Sequence, residues 1–336
     1  MLEATAFWVD SPGVGALRTQ QLDADPAGED VGADVLVRTR YTGISRGTEA
    51  TVFRGGVPEA EHERMRAPFQ EGEFPGPVKY GYLNVGIVER GPADLVGTNV
   101  FTLFPHQSLF TVPADAVVPV PDGVPERRAV LAGAVETAVN IAWDASPLIG
   151  DRIMVIGAGM IGCCVARLLR GIPQTDVTLV DVDPSRRAVA ERLGVGFADP
   201  ADAPRDCDVA IDASGSSSGL QLALESVATE GEVIEAGWFG DRPVTLTLGA
   251  DFHSRRLSIR SSQVGMVAPR RRATRSNRDR LALALRLLRD PAFDALLSGG
   301  SSWRDLPWVM AAVADGSREP DGGPVLCHTI DWKDAP

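Results

Sequence analysis

The chain of 336 residues has little of what membrane, secreted or nucleic-acid-binding proteins require. It contains no apolar run long enough to span a bilayer. Its first residues, Met-Leu-Glu-Ala-Thr, lack the basic and apolar regions of a signal peptide. The formal net charge of −12 argues against nucleic acid as a partner. We therefore expect a cytoplasmic protein that binds neither a membrane nor nucleic acid.

Cysteine and lysine are also scarce. The four cysteines are Cys163, Cys164, Cys207 and Cys327. Their spacing is not that of a disulfide framework, so we expect reduced thiols. Among 33 basic residues only Lys79 and Lys333 are lysines, a skew typical of genomic base composition rather than of function.

The most informative feature that is present is a glycine motif between an apolar run and a helical pattern. The run Arg152–Ile156 leads into Gly-Ala-Gly-Met-Ile-Gly at 157–162. Gly157 permits a tight turn, Gly159 lets the backbone approach a pyrophosphate, and Gly162 lets the helix pack on the sheet. We expect Met160 and Ile161, between these glycines, to bind the cofactor too, because the free N–H groups and dipole of the following helix favour phosphate. The pattern predicts a dinucleotide-binding site.

An acidic residue in the expected place indicates which dinucleotide binds. Asp181 closes a second apolar run, Val177–Asp181, and can accept hydrogen bonds from the adenosine ribose. Because this carboxylate would repel a 2′-phosphate, we expect NAD. Arg186 and Arg187, in the next predicted helix, keep NADP open as an alternative; otherwise they are solvated helix residues.

The two ends of the chain have different patterns. Up to about residue 130, short alternating strands such as 35–41 and 85–89 predict a small, mainly antiparallel barrel, interrupted by a polar loop at 54–80. From about residue 136, strands and helices alternate and predict a parallel sheet covered by helices on both faces.

This order resembles the medium-chain dehydrogenase/reductase superfamily, which includes the zinc alcohol dehydrogenases. The resemblance covers nearly the whole chain. Besides the glycine motif it rests on Tyr41–Ser45, Val85–Glu89, Val100–Phe104 and Asp212–Gly215.

The resemblance implies an α/β fold with a Rossmann doubly wound parallel sheet plus a chaperonin-10-like, mainly antiparallel β-barrel domain. The implied domains are a catalytic barrel at 1–135, a dinucleotide-binding domain at 136–262, and a return segment at 263–336 that completes the catalytic domain. Cofactor contacts from Arg46, Thr137 and Ser214 are implied as well, and so is a homodimer.

The ligands that hold the catalytic zinc in related enzymes are replaced here. The Gly-Ile-Cys motif reads Gly43-Ile-Ser45, and the Gly-His-Glu motif reads Gly-Tyr82-Leu83. The third ligand position falls near Gly133. A serine hydroxyl is a poor zinc ligand, and the four-cysteine lobe of a structural zinc is missing too. We expect no zinc at either site.

Two branches that lack these ligands are similar to the chain. One contains quinone and enoyl reductases; the other contains the dehydrogenase of a bacteriochlorophyllide hydroxyethyl side chain, whose motifs resemble 43–49 and 81–86. We favour interconversion of a secondary alcohol and a ketone on a polar or ring-containing small molecule. An NAD(P)H-linked quinone or enoyl reductase is the first alternative, and a non-catalytic redox sensor is the second.

Without zinc, a hydrogen-bond donor has to polarise and protonate the substrate oxygen. Tyr82 stands at a ligand position, and His106 follows a residue whose counterpart lines the substrate pocket. Ser45, Thr48 and Glu49 share one predicted loop and could form a relay. Each also has a structural interpretation: Tyr82 fills the metal space, His106 is a structural or exposed histidine, and the other three satisfy turns.

Three basic or acidic features have open interpretations. Lys79 either anchors an acidic substrate or lies on the surface. Glu136 lies near Thr137 and either serves the cofactor or fixes a helix start. The arginine cluster at 270–280 is either a solvated loop or a rim that binds an anionic substrate.

Overall fold

The computed structural model describes residues 2–22, 34–316, 319 and 323–336. The strands in these ranges are β1 (Leu2–Ser11), β2 (Val14–Leu22), β3 (Asp34–Ser45), β4 (Glu71–Gly72), β5 (Val78–Lys79), β6 (Asn84–Arg90), β7 (Asn99–Thr102), β8 (Leu109–Pro113), β9 (Val117–Pro119), β10 (Arg152–Ile156), β11 (Asp176–Val180), β12 (Gly196–Ala198), β13 (Val209–Asp212), β14 (Glu232–Glu235), β15 (Ser258–Ser261), β16 (Leu297–Ser302) and β17 (Cys327–Asp331).

The α-helices are α1 (Arg46–Phe53), α2 (Glu126–Ala129), α3 (Ala132–Ala145), α4 (Met160–Arg170), α5 (Arg187–Leu193), α6 (Ser217–Ser226), α7 (Asp251–Ser254), α8 (Asn277–Leu287) and α9 (Leu306–Ala314). Within the ranges that the structure covers, none of them has the length and apolar character needed to cross a bilayer.

The chain divides into two compact units. The first comprises residues 1–133, 285–289 and 297–336, and the second comprises 134–284 and 290–296. The second unit therefore extends beyond the expected boundary at 262. The start of α8 belongs to it because buried Arg280 bonds Glu136 and Asn140 of α3, while Leu281 and Ala284 are buried.

A single parallel sheet organises the second unit. Its order is β12-β11-β10-β13-β14-β15, which is the doubly wound order of dinucleotide-binding folds. The expected α/β class with a Rossmann sheet is confirmed. A core that includes Met154, Ala210 and Val233 packs against the inward residues of α6, such as Leu220.

Two sheets build the first unit. One has the order β2-β1-β5-β4, and the other has the order β16-β17-β3-β6-β7-β9, with β8 paired to β3. The pairs are antiparallel except β16 with β17, which are parallel. The barrel-like, mainly antiparallel domain is confirmed, and residues 297–331 return to it.

The segment 54–80 is more ordered than a polar loop. It contains β4 and β5, and Val78 of β5 pairs with Val9 of β1. The surface interpretation of Lys79 is wrong: its side chain is fully buried, and its ammonium donates to Glu71 and to Gln107 Oε1. A buried lysine needs such partners because desolvation disfavours its charge and lowers its pKa.

Candidate active site

The glycine turn after β10 has the geometry that its sequence predicts. Gly157 has φ +94°, and a Cβ there would lie 2.8 Å from the backbone of Ser214. A Cβ on Gly162 would lie 1.9 Å from the Gly157 carbonyl oxygen. At Gly159, by contrast, a Cβ would meet nothing within 4 Å, so the turn is open where a pyrophosphate would approach. Met160 and Ile161, the other expected cofactor-binding residues of the turn, are the first residues of α4.

Asp181 follows β11 and faces this turn. Its Oδ2 accepts from Ala158 N at 2.7 Å, and its Oδ1 accepts from Asp183 N at 2.8 Å. These two bonds fix the carboxylate beside the turn and leave lone pairs for ribose hydroxyls, since a carboxylate offers about four acceptor sites.

The two arginines after Asp181 are not equivalent. Arg186 is buried, with its Nε 3.7 Å from Asp183 Oδ2, so the expectation of a solvated residue is wrong for it. Arg187 is exposed and lies over the Phe197 ring, 3.9 Å from Asp199 Oδ2. Each guanidinium thus has a carboxylate of the chain within 4 Å.

The other expected cofactor contacts lie in different units. Ser214 follows β13, donates its backbone N–H to Asp212 Oδ1, and abuts the glycine turn. Thr137 lies in α3 and is partly exposed. Arg46 is the exposed first residue of α1 in the first unit.

The candidate catalytic residues of the first unit form one connected group at the junction of β3 and α1. Ser45 ends β3, and Thr48 and Glu49 lie in the first turn of α1, so the expected shared loop is in fact a strand end and a helix start. The buried Glu49 carboxylate accepts the Ser45 N–H at 2.8 Å through Oε1. An acid in this position suits a helix N-terminus, where N–H groups lack helical partners.

His106 reaches the same carboxylate from a distant part of the sequence. Its Nε2 lies 2.8 Å from Glu49 Oε2, and its Nδ1 lies 2.7 Å from Thr42 Oγ1. Trp332 Nε1 donates to the same Thr42 oxygen at 2.9 Å. All four side chains are buried, with exposed fractions of at most 2%.

The bonds decide which imidazole nitrogen of neutral His106 carries the proton. An ionised carboxylate only accepts, so Nε2 carries hydrogen and donates to Glu49. Nδ1 then accepts from the Thr42 hydroxyl, which itself accepts from Trp332. Thr42 and Trp332 could not be found from local sequence patterns, because 290 residues separate the two.

Tyr82 contacts the same junction of β3 and α1 through its hydroxyl group. Its hydroxyl hydrogen-bonds with the Ser45 and Thr48 hydroxyls. Burial, and then the charge of Glu49, raise the pKa of Tyr82 to about 12. The phenol is therefore neutral at pH 7 and is a hydrogen-bond donor. Tyr80 packs edge-on against it, with ring centroids 6.0 Å apart.

A glycine makes room for His106. Gly81 has φ +136°, and a Cβ there would lie 2.9 Å from His106 Cδ2. The position requires glycine for both conformation and space.

The residues at the former ligand positions do not fit a zinc ion. They offer a serine hydroxyl at 45, a phenol at 82, and no side chain at 133, where a Cβ would lie 2.6 Å from Leu83 Cδ2. Zinc sites use three or four thiolate, imidazole or carboxylate ligands. Within residues 2–22, 34–316, 319 and 323–336, no cluster of three or more such side chains could hold a metal.

Glu136 and Arg280, the last arginine of the cluster, form a buried ion pair in the second unit. Arg280 Nη2 lies 3.0 Å from Glu136 Oε1, and both side chains are buried. Burial raises the pKa of Glu136, and the facing guanidinium opposes that rise. The preceding arginines, from 270 to 278, are exposed.

Comparison with known proteins identifies relatives for part of the chain. It is 32% identical over 114 residues to an L-threonine 3-dehydrogenase of Mesorhizobium japonicum, which covers 34% of this chain and 33% of that protein. The match thus spans about a third of the length of each protein. No family model matches the chain.

Solved structures resemble nearly all of the chain. An L-idonate 5-dehydrogenase of Escherichia coli has a TM-score of 0.79 at 17% identity and covers 98% of each chain. A protein of Escherichia coli described as a short chain alcohol dehydrogenase, complexed with NADH, has a TM-score of 0.76 at 15% identity and covers 98% of this chain and 99% of its own. At such identities the likeness establishes the shared fold.

Proposed function

We propose, on the premise that the chain belongs to the medium-chain dehydrogenase/reductase superfamily, that it is an NAD(H)-dependent oxidoreductase that works without zinc. It interconverts a secondary alcohol and a ketone on a polar or ring-containing small molecule. The observation that carries this proposal is the Tyr82–Ser45–Glu49–His106 network, in which Ser45 and Tyr82 stand at positions that match zinc ligands of related enzymes.

The cofactor assignment depends on the second unit. The glycine turn leaves open space at Gly159, and Asp181 keeps acceptor lone pairs beside it. Asp183 and Asp199 lie near Arg186 and Arg187, which disfavours use of these arginines for a 2′-phosphate. NAD(H) is therefore the cofactor we propose. When bound, its nicotinamide supplies or removes the hydride.

The first unit handles the proton. In ketone reduction, the neutral Tyr82 hydroxyl donates a hydrogen bond to the carbonyl oxygen. As negative charge develops on that oxygen, the phenol transfers its proton, because an alkoxide is a stronger base than a phenolate. A positioned proton donor typically contributes roughly 10²–10⁴-fold to the rate.

The residues behind Tyr82 orient it and return the proton. Ser45 and Thr48 hold the phenol oxygen, and the proton that Tyr82 loses to the product is replaced from solvent through these hydroxyls. The Glu49 carboxylate accepts the Ser45 backbone N–H and so fixes this strand end, and His106 holds Glu49 in place. In alcohol oxidation the same groups move the proton in the opposite direction.

The test uses the purified full chain with NADH and a panel of cyclic and polyhydroxylated ketones, enones and quinones. We expect ketone turnover that persists in EDTA, with no stoichiometric zinc by elemental analysis. Tyr82→Phe should lower kcat roughly 10²–10⁴-fold and leave the Kd for NADH unchanged. Tyr80→Phe, which changes the neighbouring ring, is the matched control.

Three results would contradict the proposal. One equivalent of bound zinc would refute zinc independence, and turnover of enones or quinones alone would assign the alternative reductase chemistry. Tight NADH binding without turnover of any substrate would favour a redox sensor.

A further inference from the structure

A second histidine–glutamate pair lies in the first unit, and it shares no residue with the Tyr82 network. His328 Nδ1 lies 2.9 Å from Glu319 Oε2 and 3.1 Å from Oε1. On the other side of the ring, Ser301 Oγ lies 2.9 Å from His328 Nε2. The Ser298 hydroxyl also donates to Glu319 Oε1, at 2.8 Å. Serine, histidine and carboxylate are thus joined in one row.

The row fixes the roles of its donors and acceptors. The Glu319 carboxylate only accepts, so Nδ1 of neutral His328 carries hydrogen and donates to it. Nε2 then has a free lone pair and accepts from the Ser301 hydroxyl. This is the arrangement in which an imidazole acts as a base on a serine and a carboxylate holds the ring in the right tautomer.

The backbone places these groups by register. β16 and β17 are parallel, with Gly299 opposite His328 and Ser301 opposite Ile330. Ser301 is two residues beyond Gly299, so both are on the face of the sheet from which His328 projects. A Cβ on Gly299 would lie 2.2 Å from Glu319 Oε2 and 2.6 Å from His328 Nδ1. Glycine at 299 therefore provides the space for the carboxylate.

The serine of this row is more exposed than the histidine and the glutamate, as a nucleophile that meets a substrate must be. His328 and Glu319 are 6% and 5% exposed, whereas Ser301 is partly exposed. β16 is the last strand of its sheet among the described residues. One row of its backbone N–H groups therefore faces away from β17 and can donate to an oxyanion near Ser301.

We propose that Ser301 is an activated nucleophile that accepts acyl groups from small activated esters or thioesters. Ser301 Oγ forms a bond to the acyl carbon while His328 Nε2 takes the hydroxyl proton. The carbon–oxygen or carbon–sulfur bond to the leaving group breaks, and His328 returns the proton to that group. Water, deprotonated by His328, then attacks the acyl carbon; the bond from this carbon to Ser301 Oγ breaks, His328 returns the proton to Oγ, and the carboxylic acid is released.

The experiment treats the full chain with a fluorophosphonate probe and, separately, with p-nitrophenyl acetate. We expect peptide mass spectrometry to place the phosphonyl group on Ser301, and we expect ester cleavage that follows the same variants. Ser301→Ala should abolish both signals. His328→Gln and Glu319→Gln should slow labelling, the former by roughly 10²–10⁴-fold.

The matched control is Ser302→Ala, which removes the adjacent hydroxyl that contacts Arg304 N rather than a histidine. NADH binding by each variant checks that it is folded. Labelling spread over several serines, or labelling that is unchanged in Ser301→Ala, would overturn the proposal. So would the absence of labelling in folded wild-type chain. None of these readouts depends on ketone turnover, so this proposal and the proposed reductase function fail separately.

Discussion

The two histidine–glutamate pairs of the first unit have the same bonding pattern and differ in what surrounds them. In each, a hydroxyl donates to an imidazole and the imidazole donates to a carboxylate. The first runs from Thr42 through His106 to Glu49. The second runs from Ser301 through His328 to Glu319. Each also has a glycine, at 81 or 299, whose Cβ would strike the pair.

The two rows differ in the exposure of the hydroxyl that donates to the imidazole. Thr42 is fully buried, and Trp332 holds its oxygen, so no substrate carbon can reach it. Ser301 is a primary alcohol and is partly exposed. The same row of bonds can therefore hold a carboxylate for a neighbouring phenol in one place and activate a nucleophile in the other. Exposure of the hydroxyl, rather than the pattern of bonds, separates these two uses.

Among the tests of this comparison, removal of one carboxylate at a time should have the largest effect. Glu49→Gln replaces a carboxylate that accepts from Ser45 N–H and from His106 Nε2, and so disturbs the Ser45 hydroxyl that holds Tyr82. It should lower kcat for ketone reduction by roughly 10²-fold, the low end of general acid–base contributions. Glu319→Gln should slow acylation of Ser301 and leave ketone reduction unchanged. Both reactions are measured on each variant, with the Kd for NADH as the control. Loss of both reactions in either variant would show that the two rows do not act independently.

The nucleotide-binding half of the site was predictable from sequence, and the proton-handling half only in part. The turn at 157–162 and the acid at 181 are local, because each follows its strand and its job is set by backbone geometry. Ser45, Thr48 and Glu49 could be predicted as one group because they are close in sequence. Tyr82 was found at a former ligand position.

The bond between His106 and Glu49 could not be predicted, since it joins residues 57 apart in sequence. Trp332 and the row from Ser301 to Glu319 depend on the return of β16 and β17 to the sheet, which no local pattern specifies. The return itself was expected by resemblance. The side-chain contacts of β16 and β17 were not expected, because a strand pattern does not indicate which neighbouring residue a histidine contacts.

A smaller effect, on stability, tests whether exposure is the real difference. Thr42→Val keeps the shape of the side chain but leaves the Trp332 N–H and His106 Nδ1 without their bonds in a buried place. We expect a loss of about 1–3 kcal/mol in the free energy of unfolding. Ser301→Ala, at a partly exposed position, should change it by no more than about 0.5 kcal/mol. Chemical denaturation measures both, and equal losses would contradict the contrast between the two hydroxyls.

The smallest expected effect is on the pH dependence of stability, and it concerns the acid pair Asp212 and Glu235, which has no histidine partner. In the second unit, Glu235 Oε1 accepts from Gly237 N at 2.5 Å, and Asp212 Oδ1 accepts from Ser214 N at 3.0 Å. Burial, and then the charge of Asp212, raise the pKa of Glu235 to about 9.

A carboxyl group whose folded pKa is raised stabilises the fold fully below its unfolded pKa, and this stabilisation is lost as pH rises through the folded value. Stability should therefore fall between about pH 4.5 and pH 9, the pKa values of this group in the unfolded and the folded protein. Glu235→Gln should flatten that decline and raise the melting temperature at pH 9 relative to wild type by about 2–4 °C, which corresponds to about 1 kcal/mol. Thermal unfolding at pH 6 and pH 9 measures it, with Glu225→Gln, an exposed acid on α6, as the control. Parallel declines in wild type and Glu235→Gln would show that the pKa of this carboxyl is not raised in the folded protein.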